Sequence, residues 1–208
     1  MYASTPVTPT ASRPLQQRII GRLTLALHCT VACVALSIAF VLFDNTLFAW
    51  HPAFMSIGYI VFMTEGLIAA IHFRQIDGPE RVKAIWSHAL LQLRAVICVI
   101  IGFGVIYRRK IILGKPHFVS LHAKFGLATL ILSILMPLWG LLGLLTWLLA
   151  LVTIELALPH PAVNKGWLTL AWQIGVGLIA VLLGLLSFKT VVGAKQLGGP
   201  EDALCKTV

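Results

Sequence analysis

The chain has 208 residues, 59% of them hydrophobic and only 11% charged, with a formal net charge of +9. Water-soluble domains run closer to ~45–50% apolar and about 25% charged, so this composition excludes a soluble globular domain and indicates a polytopic membrane bundle. The basic residues fall between apolar segments, as loops beside phosphate headgroups require, and leave no basic face of a soluble fold to suit nucleic acid.

Residues 1–18, rich in Ser, Thr and Pro, read as a disordered tail. About 20 apolar residues cross a bilayer core of roughly 30 Å. Leu23–Phe43 meets that length and exceeds the apolar core of a cleaved signal peptide, so it is expected as a retained first helix, closed by Asp44 and Asn45. Trp50–Phe73 reads as the second helix and Trp86–Tyr107 as the third, each closed by a charged loop; a fourth begins near His117. From Phe118 to Pro159 the only charges are Lys124 and Glu155, and one helix of that length would run to about 60 Å, twice the membrane. A turn is therefore expected at Pro137, Gly140 and Gly143. Leu144–Leu158 is then a short fifth crossing or an interfacial segment, and Trp167–Phe188 is the last crossing. The count is five or six, in a membrane domain of residues 19–192 followed by a C-terminal tail of residues 193–208. With six crossings and a cytoplasmic N-terminus, nine Lys and Arg residues lie inside against five outside, which favours that orientation. The four cysteines include Cys29, Cys33 and Cys98 within apolar runs, where they read as small buried hydrophobes. No Cys-x-x-Cys-His occurs, so covalent haem attachment is not indicated.

Four of the seven histidines, His51, His88, His122 and His160, sit at or near the starts of apolar segments. Alternating crossings put His51 and His122 on one membrane face and His88 on the other. Two neutral imidazoles from facing helices suit a six-coordinate haem iron, which transfers electrons; a metal site or a proton pathway remains open on position alone. Pro52 is expected in the first helical turn, where its missing N–H costs nothing. Glu65 lies fourteen residues past His51 and Arg94 eight past Trp86. Those offsets are about 21 Å and about 12 Å from opposite faces, nearly one depth, so a Glu65–Arg94 pair is expected. Arg81 and Lys83 before His88, and Lys115 and His117 before His122, would draw small anions to the two faces or anchor the chain to headgroups. Lys124, two residues past His122, points to a different face of its helix.

The stretches WHPAFMSIGYIVFMTEGL (50–67), SHALLQLRAV (87–96) and GKPHFVSLHAKFGL (114–127) resemble the second, third and fourth helices of the cytochrome b561 family, over roughly residues 20–145. The chain looks most like the family's small two-haem branch. The resemblance implies an all-α transmembrane bundle with two non-covalent b haems in a four-helix core. It implies an oxidoreductase that passes electrons from cytoplasmic ascorbate to monodehydroascorbate or ferric chelates across the bilayer. His51 and His122 would hold the outer haem. His88 would hold the inner one with a partner from the start of the fifth helix, for which His160 stands 38 residues after His122. His160 faces His88 only if Leu144–Leu158 stays at the inner interface; if that segment crosses, His160 emerges on the other face. In that case one haem is expected. By the same resemblance Arg81 and Lys83 would meet ascorbate, and Lys115 and His117 the acceptor. The membrane would be that of an endomembrane vesicle, the ER or the cell surface, and a homodimer is compatible. The competing class is a haem-free or single-haem transporter or scaffold that keeps the helical frame.

Overall fold

A computed structural model describes residues 12–135 and 143–197. Six helices run through them: α1 (Ser12–Val41), α2 (Leu47–Phe73), α3 (Gly78–Ile112), α4 (Leu121–Leu135), α5 (Gly143–Ala157) and α6 (Trp167–Leu197). No strand occurs among the described residues. The all-α membrane bundle expected from composition is the architecture observed.

Large apolar side chains cover the outside of the bundle: Phe40 is 78% exposed, Trp86 65% and Phe188 62%. In water such a surface would be a severe liability, whereas lipid tails solvate it. α1, α2, α3 and α6 are each long and apolar enough to cross a membrane; α4 and α5 are shorter apolar helices of 15 residues. α4 and α5 form an antiparallel hairpin. His122 and Thr129 of α4 both meet Thr153 near the end of α5, so the chain leaving α5 returns to the His122 end. Of the turn residues expected between them, Gly143 opens α5, while Pro137 and Gly140 lie outside the described residues. So do residues 1–11 and 198–208; α1 begins at Ser12, inside the segment read as a tail.

α1 packs on α6 and α2 on α3, while the middle of α2 also touches α1 and α5. α2 is thus the central helix. Leu27, Ile60, Trp147, Val176 and Ile179 are buried within the shared core. Polar side chains inside it are paired: Trp147 Nε1 donates to Thr64 Oγ1 at 2.9 Å, and Trp172 Nε1 donates to Ser37 Oγ at 3.0 Å. Without water, such groups must find partners within the protein. Cys29 and Cys33, expected as buried, are exposed on α1, and Cys98 is half-buried. A thiol is apolar enough to face lipid, so burial in protein was not required of it.

Small residues set the α2–α3 contact. A Cβ added at Gly58 would stand 2.9 Å from Val99 Cγ2 and 3.2 Å from the Ala95 carbonyl oxygen. One added at Gly102 would stand 3.1 Å from Phe54 Cβ. Such close approach of backbones is how membrane helices gain packing energy when lipid offers no hydrophobic drive.

α2 begins earlier than the sequence suggested. Asp44 Oδ1 accepts from the Thr46 backbone N–H at 3.0 Å and from its hydroxyl at 2.6 Å. These bonds, the hydroxyl's first, hold the Asp44 carboxyl below the usual carboxylate range. They form a turn before the helix, with Thr46 at its N-cap. Pro52 consequently lies inside the helix rather than in its first turn. A proline there withholds a hydrogen bond from the turn before it, and the backbone continues as a π-helical stretch over Ser56–Met63. Such wide turns are rare and favour functional sites.

Candidate functional site

Two helix starts meet at one end of the bundle. His51 on α2 and His122 on α4 face each other with ring centroids 6.1 Å apart and planes at 81°. Each ring is fixed from behind. His51 Nδ1 lies 3.0 Å from the Gly102 carbonyl oxygen on α3, and His122 Nδ1 lies 2.8 Å from the Thr153 carbonyl oxygen on α5. A carbonyl oxygen can only accept, so in both rings Nδ1 carries the proton and Nε2 keeps its lone pair. That is the state of a histidine prepared to bind a metal, with its orientation set by a backbone partner.

The two rings border a chamber of about 540 Å³, within the range of roughly 300–1,000 Å³ typical of cofactor and ligand sites. Its walls are mostly apolar and include Tyr59, whose hydroxyl lies 3.3 Å from Ser133 Oγ. Phe103 and Phe118 stack at 6.3 Å, and Tyr107 and His117 at 4.3 Å. Arg109, Lys110, Lys115 and His117 line the same chamber, and among the described residues none of its lining is acidic. Arg109 also sits 4.9 Å over the Phe48 ring. The expected pair Lys115 and His117 is thus beside His51 and His122. Lys124 is exposed on α4 and does not line the chamber.

At the other end, His88 on α3 is held in the same way. Its Nδ1 lies 2.7 Å from the Gly66 carbonyl oxygen on α2, and Phe73 stands edge-on to the ring at 5.7 Å. No second imidazole meets it. His160 lies on the α5–α6 loop and lines the chamber of His51 and His122, so the structure does not bring the expected His88–His160 pair together. The reason is the α4–α5 hairpin, which carries the chain back to the His122 end before His160. At the depth of Thr64 and Gly66, α5 presents Trp147, which is 1% exposed. All seven histidines are among the described residues, and His72 is exposed at the end of α2.

The Glu65–Arg94 pair is corrected. Glu65 Oε1 lies 2.7 Å from His28 Nδ1 on α1, and Arg94 is exposed. Equal depth does not fix the face of the helix on which a side chain lies. Gln92 faces α2, with its Nε2 3.5 Å from the Met63 carbonyl oxygen; Arg94, two residues on, points about 200° round the helix. Arg81 and Lys83 lie at the start of α3 near His88, each beside an acid: Arg81 is 3.5 Å from Asp77, and Lys83 is 2.7 Å from Glu80. Exposed pairs of this kind screen the cations from other anions while adding little stability.

Sequence reasoning missed the carbonyl partners. Gly66 lies fifteen residues after His51 and Gly102 fourteen after His88. A glycine at the mirrored position of an antiparallel neighbour was the available signal, since it lets an imidazole reach the backbone. Among the described residues no group of three or more His, Cys, Asp or Glu side chains could hold a bare metal ion. The two-imidazole set at the His51 end instead suits haem iron, whose other ligands come from the macrocycle.

The fold defines an integral membrane helical-bundle protein, with a donor pair of the kind that grips a haem from both faces. The family described as eukaryotic cytochrome b561 matches residues 50–187. The chain belongs to that family, and membership implies haem b. Among its relatives, the human transmembrane reductase CYB561D2 is 35% identical over 89 residues, covering 40% of this chain and 38% of the relative. The human probable transmembrane reductase CYB561D1 is 30% identical over 111 residues, covering 51% and 45%. The transmembrane ascorbate ferrireductase 2 of Arabidopsis thaliana is 36% identical over 86 residues, covering 41% and 36%. The matches thus span less than half the length of these relatives.

Proposed function

We propose that this chain is a membrane oxidoreductase that holds one haem b between His51 and His122 and exchanges electrons with small anionic or ferric partners at that end. The observation that carries the reading is the pair of facing imidazoles, each with Nδ1 committed to a backbone carbonyl and Nε2 free. Haem, when bound, supplies a one-electron iron couple with no open coordination position. The residues do the rest. Gly102 and Thr153 fix the tautomers, the apolar walls exclude water, and Arg109, Lys110 and Lys115 favour a negatively charged partner at the mouth. The name of the Arabidopsis thaliana relative, an ascorbate ferrireductase, points to ascorbate as donor and ferric iron as acceptor.

Transfer across the full membrane, with a second haem at His88, is the alternative reading, and one observation favours it. His88 is oriented through Gly66 as His51 is through Gly102. Against it, no other imidazole meets His88, and Trp147 fills the core at that depth. Haem-to-protein stoichiometry decides. One b haem per chain, with a low-spin reduced-minus-oxidised spectrum, is expected. Two would restore the transmembrane reading, and a colourless folded preparation would sink both in favour of a haem-free transporter or scaffold.

A further inference from the structure

His160 differs from His51, His88 and His122 in the sense of its hydrogen bond. The Ala162 backbone N–H donates to His160 Nδ1 at 3.2 Å. A backbone N–H can only donate, so Nδ1 is the acceptor and, in the neutral ring, the proton sits on Nε2. In His51, His88 and His122 the proton sits on Nδ1 and the lone pair on Nε2. The two arrangements do opposite things. Three rings present a lone pair, fit for iron; the fourth presents an N–H, fit for an oxyanion.

The loop holds this ring in place. The His160 carbonyl accepts from the Val163 and Asn164 backbone N–H groups at 2.8 and 2.9 Å, and its own N–H donates to the Ala157 carbonyl at 3.0 Å. The side chain lines the chamber beside His122, together with Arg109, Lys110, Lys115 and His117, and none of the described lining residues is acidic. A neutral N–H donor among cations selects oxygen anions by direction as well as by charge.

We infer that His160 is the oxyanion-recognising N–H donor of the His51–His122 chamber and not an axial ligand of iron. This rests on the reading that haem sits between His51 and His122. The ligand chemistry is a carboxylate or enolate oxygen, supplied either by a free small anion or by the carboxylates of the bound haem.

The test uses the full chain purified with its haem in detergent, as His160→Ala and His160→Gln, the glutamine keeping an N–H donor. Haem content, the low-spin spectrum and the midpoint potential are measured. The reduced protein is then reoxidised by ferric citrate, an oxyanion, and by hexaammineruthenium(III), a cation without oxygen. In each reaction one electron leaves the haem iron and reduces the oxidant by one unit. His160→Ala is expected to keep its haem and low-spin spectrum. If the oxyanion is free, reoxidation by ferric citrate slows about tenfold, the value of one hydrogen bond to a charged group. The ruthenium rate then stays unchanged and His160→Gln recovers most of the loss. If the oxyanion belongs to the haem, the midpoint potential shifts and both oxidants change together. Loss of haem or of the low-spin spectrum in His160→Ala would make His160 a ligand and overturn the inference. So would an alanine variant with unchanged potential and unchanged rates. A wild-type chain without haem would be the separate failure of the proposed function.

Discussion

At one end of the α2–α3 pair, His51 leans on Gly102 and faces His122 across a chamber; at the other, half-buried His88 leans on Gly66 and meets only the edge of Phe73. The two histidines are oriented by the same device, yet only one has a second imidazole opposite. Orienting a ligand and completing a site are therefore separate tasks here. α2 and α3 perform the first at both ends. The α4–α5 hairpin performs the second at one end alone, because it delivers His122 there and Trp147 to the other.

The largest expected effect breaks this contrast directly. His122→Ala should remove essentially all b-type absorbance, whereas His88→Ala should leave haem content at the wild-type level; equal losses in both would mean the ends are equivalent. Next, Trp147→Ala should cost about 3–5 kcal/mol, the range for truncating a fully buried aromatic, read as a fall in thermal stability in detergent with the haem spectrum retained at low temperature. Gly58→Val would force α2 from α3 and should cost about 1–3 kcal/mol by overpacking, with both His–Gly contacts loosened and the low-spin spectrum broadened. Glu65→Gln removes the carboxylate facing His28 but keeps an oxygen that can accept the same bond, so the loss should be about 1 kcal/mol. Arg94→Gln removes a charge from the outward face of a membrane helix and should leave stability unchanged or raise it; a loss would revive the pairing with Glu65.

Much of this was legible in the sequence, since run length and charge spacing mark membrane helices well. Helix alternation placed His51 with His122 and apart from His88, and the WHP and SLH stretches resembled the right family. What failed were questions of azimuth and of partner. Depth along a helix follows from counting residues, but the face a side chain takes depends on packing; that is why Glu65 found His28 and Arg94 turned outward. The start of α2 moved because a short Asp44–Thr46 turn outweighed the expectation that Pro52 must open the helix. The position of His160 hinged on whether fifteen apolar residues lie along the interface or return across the bundle. Their composition is the same in both cases, and only the Thr129–Thr153 and His122–Thr153 contacts distinguish them.

The reciprocal bonds between α2 and α3 also have a mechanical meaning. His51 reaches from α2 to α3, and His88 reaches from α3 to α2, some fifteen residues or about 22 Å apart. Two helices bolted at both ends in opposite senses cannot slide: a shift of one residue, about 1.5 Å, would strain both bolts together. The pair behaves as a strut of fixed length, and a change of charge at one end should be met by a frame that does not move.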